Sequence, residues 1–489
     1  MSRPTSSGGG RRPGRTGTHP RMPRWLPCLL GAASSAGAAQ ALNFKAEARR
    51  DATAVYRQEL LNYKDLQFYG NVTVGGQSMY AVLDTGSIEF VVLSDKCQYW
   101  CGHKKPLYHS NTSGSYLSGN TSLVLSYGSG QLMATEAYEQ VAVGPISVPV
   151  APFWEVNDAN MPLLFDSDFS AIVGLGPVPK GTRALEHGAA NNSEAAALLL
   201  RTFSVDRFGI CLGSEAGSKG YFTWNDDSHM KPQWHFTEIP IPDTGYWMAP
   251  LTDVRLGSQL IACEEGCGAV VDSGTSLLAM PEASVSAMEK ILAAAGTGCS
   301  DLSLLPDLRF KLGGMHFSLP ADAFVGNVEG QPASAVQRNF ERSKEGRLQR
   351  SPDDIPAGVA ASGQSACEVA LMHINMDSSL GKVWILGAPF FRKYYSVFVQ
   401  ASDGSDGREP SPPALHLAAA NSECMPQSDL EAREESLLGH HVRRPRRVDA
   451  SGIGLPPWAQ RAGRLGRLEE RAPLRGREAL EPSQRALEH

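Results

Sequence analysis

Two short strings constrain this chain more than anything else in it: Asp84-Thr85-Gly86-Ser87 and Asp272-Ser273-Gly274-Thr275. Each sets a carboxylate beside a hydroxyl, then a glycine, then a second hydroxyl. Each follows a run of β-formers, Tyr80-Ala81-Val82-Leu83 in one case and Ala269-Val270-Val271 in the other. A strand that ends in a tight turn holds an acid at its tip in a fixed orientation. Two such turns predict two similar halves that meet at a shared pair of carboxylates. Two carboxylates in contact cannot both ionise easily, so the pair keeps one proton and offers a base and an acid together. One such string would mean little, because Asp, Ser and Gly are ordinary turn residues and a surface β-turn is the alternative reading. Two of them, each after an apolar strand, mean much more.

Charge excludes some partners. Residues 1–50 carry nine Lys/Arg against one acid, and residues 425–489 carry twelve Arg against ten acids. Of the net −6 overall, residues 51–424 therefore hold −16. An acidic body repels polyanions, so no nucleic-acid partner is expected. No stretch reaches 18 uninterrupted apolar residues, so no membrane span is expected. Residues 1–21 are rich in Gly, Ser and Arg and read as a disordered leader. From Met22, a possible true start, a short basic region precedes the apolar run 25–33 and small residues ending in Ala39-Gln40-Ala41. That is the layout of a secretory signal with a small-x-small cleavage site.

The cysteines agree with export. Of nine, cleavage after Ala41 removes Cys28 and leaves eight. Cys97/Cys101 and Cys263/Cys267 have the close spacing of small loop clips. Zinc is the alternative for Cys-x3-Cys, but neither clip has a second Cys/His pair at ligand spacing. No metal or cofactor is expected. Disulfides imply an oxidising compartment, hence the secretory pathway, with secretion or an acidic vacuole or lysosome-like organelle as the destination. Sequons at Asn71, Asn111, Asn120 and Asn191 suit such a route.

The surroundings of the two strings resemble the pepsin-like aspartic peptidases, the family of pepsin, cathepsin D and the plasmepsins. The stretch 261–278, with Cys263 and Cys267 just before Asp272, is similar to that family's second active-site loop and its small disulfide. The segment 300–325 resembles part of the C-terminal lobe. Trp384-Ile385-Leu386-Gly387 followed by Phe391-Arg392-Lys393-Tyr394-Tyr395-Ser396-Val397-Phe398 resembles the strand and helix beyond it, and Ala171-Ile172-Val173-Gly174-Leu175-Gly176 its counterpart in the first lobe. The resemblance runs from about Leu61 to about Ala420, and the composition suggests an apicomplexan source.

The resemblance implies an all-β chain, mainly strands with a few short helices, in a bilobal fold with the active-site cleft between the lobes. It divides the chain into a leader and signal (1–41), a short pro-segment (42–60), an N-terminal lobe with the first Asp loop and flap (61–205), a C-terminal lobe with the second Asp loop (206–424) and a disordered Arg-rich tail (425–489). Insertions are expected at 326–363 and 402–413. Helices are expected over 193–200 and 282–295, the latter opening at Pro281. The resemblance also implies the pairs Cys97–Cys101, Cys263–Cys267 and Cys299–Cys367, which leaves Cys211 and Cys424 to pair by elimination.

The implied activity is endopeptidase cleavage. One of Asp84 and Asp272 takes a proton from a bound water, the other donates a hydrogen bond to the scissile carbonyl, and a gem-diol forms. Ser87 and Thr275 would donate to the outer carboxylate oxygens. Thr85 and Ser273 would bond across to the opposite loop, and Gly86 and Gly274 would let the backbones approach. Gly174 and Gly387 would brace the loops from behind. Tyr127, Gly128 and Ser129 would form a flap over the substrate. The expected partners are a protein or peptide substrate and pepstatin-type inhibitors, bound by a monomer. This sequence has Val91 where many relatives carry a tryptophan partner for the flap tyrosine, and Glu89 puts a charge near the cleft mouth. A catalytically inactive peptide-binding or inhibitor module on the same fold is the alternative. It would have no need of both acids and both hydroxyl partners, and all four are intact.

Overall fold

The computed structural model describes residues 54–97, 101–102, 105–127, 129–165, 167–178, 183–184, 187, 195–295, 301–330, 366–402, 404, 409–428 and 442–454. Strands dominate them, as the recurrent β-type runs predict. In Gln77–Asp84 the inward Met79, Ala81 and Leu83 alternate with more exposed neighbours, the period of a strand with one buried face. Cys267–Val271 is buried at every position and pairs in parallel with Gly381–Leu386, whose last four residues are buried too. Continuous apolar runs of this kind are what a strand covered on both faces requires.

Each Asp string ends the central strand of a similar motif. Gln77–Asp84 runs parallel to Ala171–Gly174, which pairs antiparallel with Phe90–Leu93 just beyond the first Asp loop. Cys267–Val271 runs parallel to Gly381–Leu386, which pairs antiparallel with Leu278–Met280 just beyond the second. The two-halves expectation is therefore met at the level of strand topology.

A single hydrogen-bonded path of thirteen strands carries the first motif and also brings 56–63 and 414–419 into one sheet. It runs from Thr237–Pro240 and Ala414–Ala419 through Tyr394–Val399, Arg207–Leu212 and Gly220–Trp224 to Tyr56–Tyr63, and on to the hairpin of Leu117–Tyr127 and Gly130–Val143. A sheet of nine strands carries the second motif. Trp154, Trp224, Trp247 and Trp384 are all fully buried, and burial of each such side chain contributes about 2–3 kcal/mol. Trp247 also donates its indole N–H to Leu175 O, beside the first Asp loop, at 2.8 Å.

Several expectations need correction. Residues 54–60 fall within the stretch expected to be a pro-segment, yet Tyr56–Tyr63 is a strand of the main sheet, with Tyr56 opposite Trp224. The helix expected over 193–200 is a two-residue strand, Ala195–Ala196, followed by one helical turn, Leu199–Thr202. Its Ala/Leu composition suits a helix, but Ala196, Ala197 and Leu198 are buried on all sides, and sheet contacts override the local preference. The helix Glu282–Ala295 forms as expected and buries Ser284, Met288 and Leu292, one stripe at i, i+4 and i+8. Of the insertion expected at 326–363, residues 326–329 belong to the strand Val325–Glu329 and 331–363 lie outside the described residues. Of the tail expected to be disordered, Arg446–Asp449 is a strand parallel to Val325–Glu329.

The structure joins Cys97 to Cys101, Cys263 to Cys267 and Cys211 to Cys424. Cys28 and Cys299 lie outside the described residues, so the expected Cys299–Cys367 pair does too. Cys211 and Cys424 are both buried and close a loop with a sequence separation of 213. Replacing both with Ala should lower unfolding free energy by about 2–5 kcal/mol, because a cross-link over so long a loop restricts the unfolded chain. Guanidinium unfolding of the oxidised parent and the double variant measures this.

Candidate active site

The two Asp strings meet. Asp84 and Asp272 are 4% and 0% exposed, and their carboxyl groups lie close enough to hydrogen bond to each other. Each acid is held by its own turn in the same way. Asp84 accepts from the Gly86 N–H at 2.9 Å on one oxygen and from Ser87 Oγ at 2.5 Å on the other. Asp272 accepts from the Gly274 N–H at 2.8 Å and from Thr275 Oγ1 at 2.7 Å. These are the donors that the two strings supply at positions two and three beyond each acid.

The remaining hydroxyls cross between the loops. Thr85 Oγ1 donates to Val271 O at 2.9 Å and accepts from the Ser273 N–H at 2.9 Å. In return, Ser273 Oγ donates to Leu83 O at 2.5 Å and accepts from the Thr85 N–H at 3.1 Å. Four reciprocal bonds, each worth about 1 kcal/mol net, fix the two turns relative to one another. The glycines are required by the closeness of this contact. A Cβ on Gly86 would sit 2.8 Å from the Asp272 carboxyl, and one on Gly274 would collide with Asp84.

The expected bracing elements pass behind both loops. Leu175 N–H donates to Asp84 O at 2.8 Å and Gly176 N–H to Ser87 O at 2.7 Å. In the second half, Asp272 N–H donates to Leu386 O at 3.0 Å and Ala388 N–H to Thr275 O at 2.9 Å. A Cβ on Gly174 would meet the backbone of Ile88, and one on Gly387 the carbonyls of Leu277 and Thr275, so glycine is needed at both.

Electrostatics separate the two acids. Burial pushes the Asp84 carboxyl above its usual range, while the donors Ser87 and Gly86 oppose the rise. Asp272 is pushed well above the usual range, first by burial and then by the charge of Asp84, against the pull of Thr275 and Gly274. The pair therefore favours a single negative charge, with one proton shared between the two acids. Among the described residues, no three His, Cys, Asp or Glu side chains cluster as metal ligands.

The family model for eukaryotic aspartyl proteases matches residues 67–349. The chain is 30% identical to renin from Rattus norvegicus over 355 residues, which cover 69% of this chain and 78% of that protein. It is 26% identical to cathepsin E from Rattus norvegicus (353 residues, 70% and 79%) and 26% identical to pepsin A from Callithrix jacchus (363 residues, 72% and 83%). The chain belongs to the eukaryotic aspartyl protease family. Its mostly β architecture with large sheets is that of the bilobal pepsin-like fold.

In this aspartyl protease, the hairpin expected as a flap closes at Tyr127 opposite Gly130, between the strands Leu117–Tyr127 and Gly130–Val143. Gly130 has φ near +153° and its Cα faces Asn160 O, where a Cβ would clash. Tyr127 and Ser129 are buried, and Gly128 lies outside the described residues. The Tyr127 hydroxyl is pushed well above its usual pKa by burial and then by the charges of Asp84 and Glu89, so the ring stands within electrostatic reach of both acids.

Glu89 differs from its expected place at the cleft mouth. It is buried, accepting the indole N–H of Trp154 at 2.8 Å and the Ala197 N–H at 3.0 Å. Trp154 also lies directly opposite Val91 in the sheet. Where Val91 offers no indole, an indole from a neighbouring strand stands beside it, tied to Glu89. The pairing of residues so far apart in sequence left no local signal. Ser276, one position past the second string, likewise has no local signature, because its partner Gly454 is 178 positions away.

Because its folded-state pKa is raised, Asp272 adds stability below the ordinary carboxylate value of 3.8 and loses it as pH rises through the folded pKa. At neutral pH the pair is thus a net cost. Asp272→Asn keeps one oxygen to accept from the Gly274 N–H, turns an NH2 towards the Thr275 hydroxyl, which can accept from it, and removes the charge. It should melt at a higher temperature than the parent at pH 7, and the difference should shrink towards zero below pH 4. Calorimetric melting across that range checks the sign.

Proposed function

We propose that this family member is an active aspartic endopeptidase that hydrolyses peptide bonds with a water held between Asp84 and Asp272. The observation that carries this reading is the completeness of the pair: two buried, touching carboxyls, each with an amide and a hydroxyl donor on its own turn. Asp84 accepts a proton from the water as it attacks the scissile carbonyl. Asp272 starts protonated and donates to the carbonyl oxygen. The gem-diol then collapses as a proton passes from the pair to the leaving nitrogen. Tyr127 and its hairpin close over the substrate, and the loop backbones orient it as an extended strand. An inactive binding module would gain nothing from holding both acids at this cost in burial.

The same reading takes 61–205 and 206–424 as the two lobes, with residues 56–60 added to the first strand. It takes pepstatin-type inhibitors, which imitate the gem-diol, as tight ligands of a monomer. Three disulfides and the exposed sequon residues Asn71, Asn111 and Asn120 favour a route through the secretory pathway to secretion or to an acidic vacuole or lysosome-like organelle.

Asp84→Asn and Asp272→Asn should each lower kcat/KM for a peptide library at acid pH by about two to four orders of magnitude or more, with thermal melting retained. In the parent, kcat/KM should fall on the alkaline side as Asp272 loses its proton. Full turnover in both variants would refute the two-acid mechanism.

A further inference from the structure

The chain's own residues 446–454 lie against the second Asp loop in the manner of a bound peptide. Arg446–Asp449 adds a parallel strand beside Val325–Glu329, with Arg446 opposite Gly326 and Asp449 opposite Glu329. Val448, Ala450 and Ile453 are buried in an apolar cluster with Leu66 and Leu277. The hairpin of Tyr56–Tyr63 and Gln67–Val74 also holds the segment. Lys64 forms an ion pair with Asp449 at 2.8 Å, and Gln67 Nε2 donates to Gly452 O at 2.8 Å.

The last contacts are the informative ones. Gly454 N–H donates to Ser276 Oγ at 2.9 Å, and Ser276 N–H donates to Gly454 O at 3.3 Å. Both main-chain polar groups of one residue are thus satisfied by one residue of the active-site loop. A Cβ on Gly454 would stand 3.3 Å from Gly274 O, and Gly274 itself is pressed against Asp84. Ser276 offers an N–H and a hydroxyl to any extended chain lying in this part of the groove, and Gly454 uses both.

We infer that residues 446–454 are an autoinhibitory strap, which occupies the groove beside the second Asp loop and must leave before an extended peptide can lie there. The inference rests on the peptidase reading for the meaning of the groove, and it adds regulation of that site by the chain itself. The strap holds by sheet pairing, buried apolar side chains and the Ser276 bonds together. A competing peptide can replace the bonds to Ser276 but must displace the rest. Apparent affinity for such a ligand is therefore reduced by the fraction of molecules in which the strap is closed.

The test uses the full chain and a pepstatin-type inhibitor, with binding read by calorimetry and peptide cleavage measured separately. Ile453→Asp, which puts a charge into the apolar cluster, should bind the inhibitor about tenfold or more tightly than the parent, and so should Gly454→Trp, which crowds Gly274. Tighter binding without cleavage in any form would uphold the strap and sink the peptidase reading. Equal binding in all three, or none in any, would overturn the strap whether or not peptides are cut. Should the variants misfold, hydrogen exchange on the unmodified chain decides. Saturating inhibitor should speed exchange at the amides of 447–454 about tenfold, and unchanged or slower exchange there would overturn the inference.

Discussion

The structure turns on the contact between two buried carboxyl groups. Burial and mutual charge both oppose ionisation, and an uncompensated pair would cost several kcal/mol or drive the loops apart. What keeps Asp84 and Asp272 together is a set of short, local and symmetric donors: the amides of Gly86 and Gly274 and the hydroxyls of Ser87 and Thr275. The cross-bonds of Thr85 and Ser273 then prevent the turns from separating. Every other feature of the site follows from this contact, including the glycines, which leave room for it.

The same contact explains the layout of the sheets. A turn that presents a charged group must be held from behind by a rigid element, and each half supplies one by passing a parallel strand and a glycine under the loop. Trp247 reaches from the second half to Leu175 in the first, so packing and loop geometry are joined. A small shift in one half would therefore be felt at the carboxyls of the other.

Legibility followed the range of the interaction. The Asp turns, their hydroxyl partners and the bracing glycines were readable because each role lies within a few residues of its acid. The helix Glu282–Ala295 was readable from its stripe and its proline start. Of the helix expected over 193–200, only the turn that starts at Leu199 forms among the described residues, because burial on all sides of Ala196–Leu198 outweighs alanine's local preference. The charge at Glu89 looked like a surface feature, since nothing near it in sequence reveals that Trp154 and the Ala197 amide await it. The Arg-rich composition of the tail likewise hid three apolar residues, Val448, Ala450 and Ile453, that have a cluster to join.

The sequence by itself determined two acid-bearing turns, their immediate hydrogen-bond donors and the β-rich character of the chain, because those depend on backbone geometry and side chains a few positions apart. Only the tertiary structure decided that the turns meet, that the two acids are buried enough to share a proton, what Glu89 binds and where 446–454 comes to rest. Those outcomes depend on burial and on contacts between residues hundreds of positions apart, and neither quantity exists until the chain has folded.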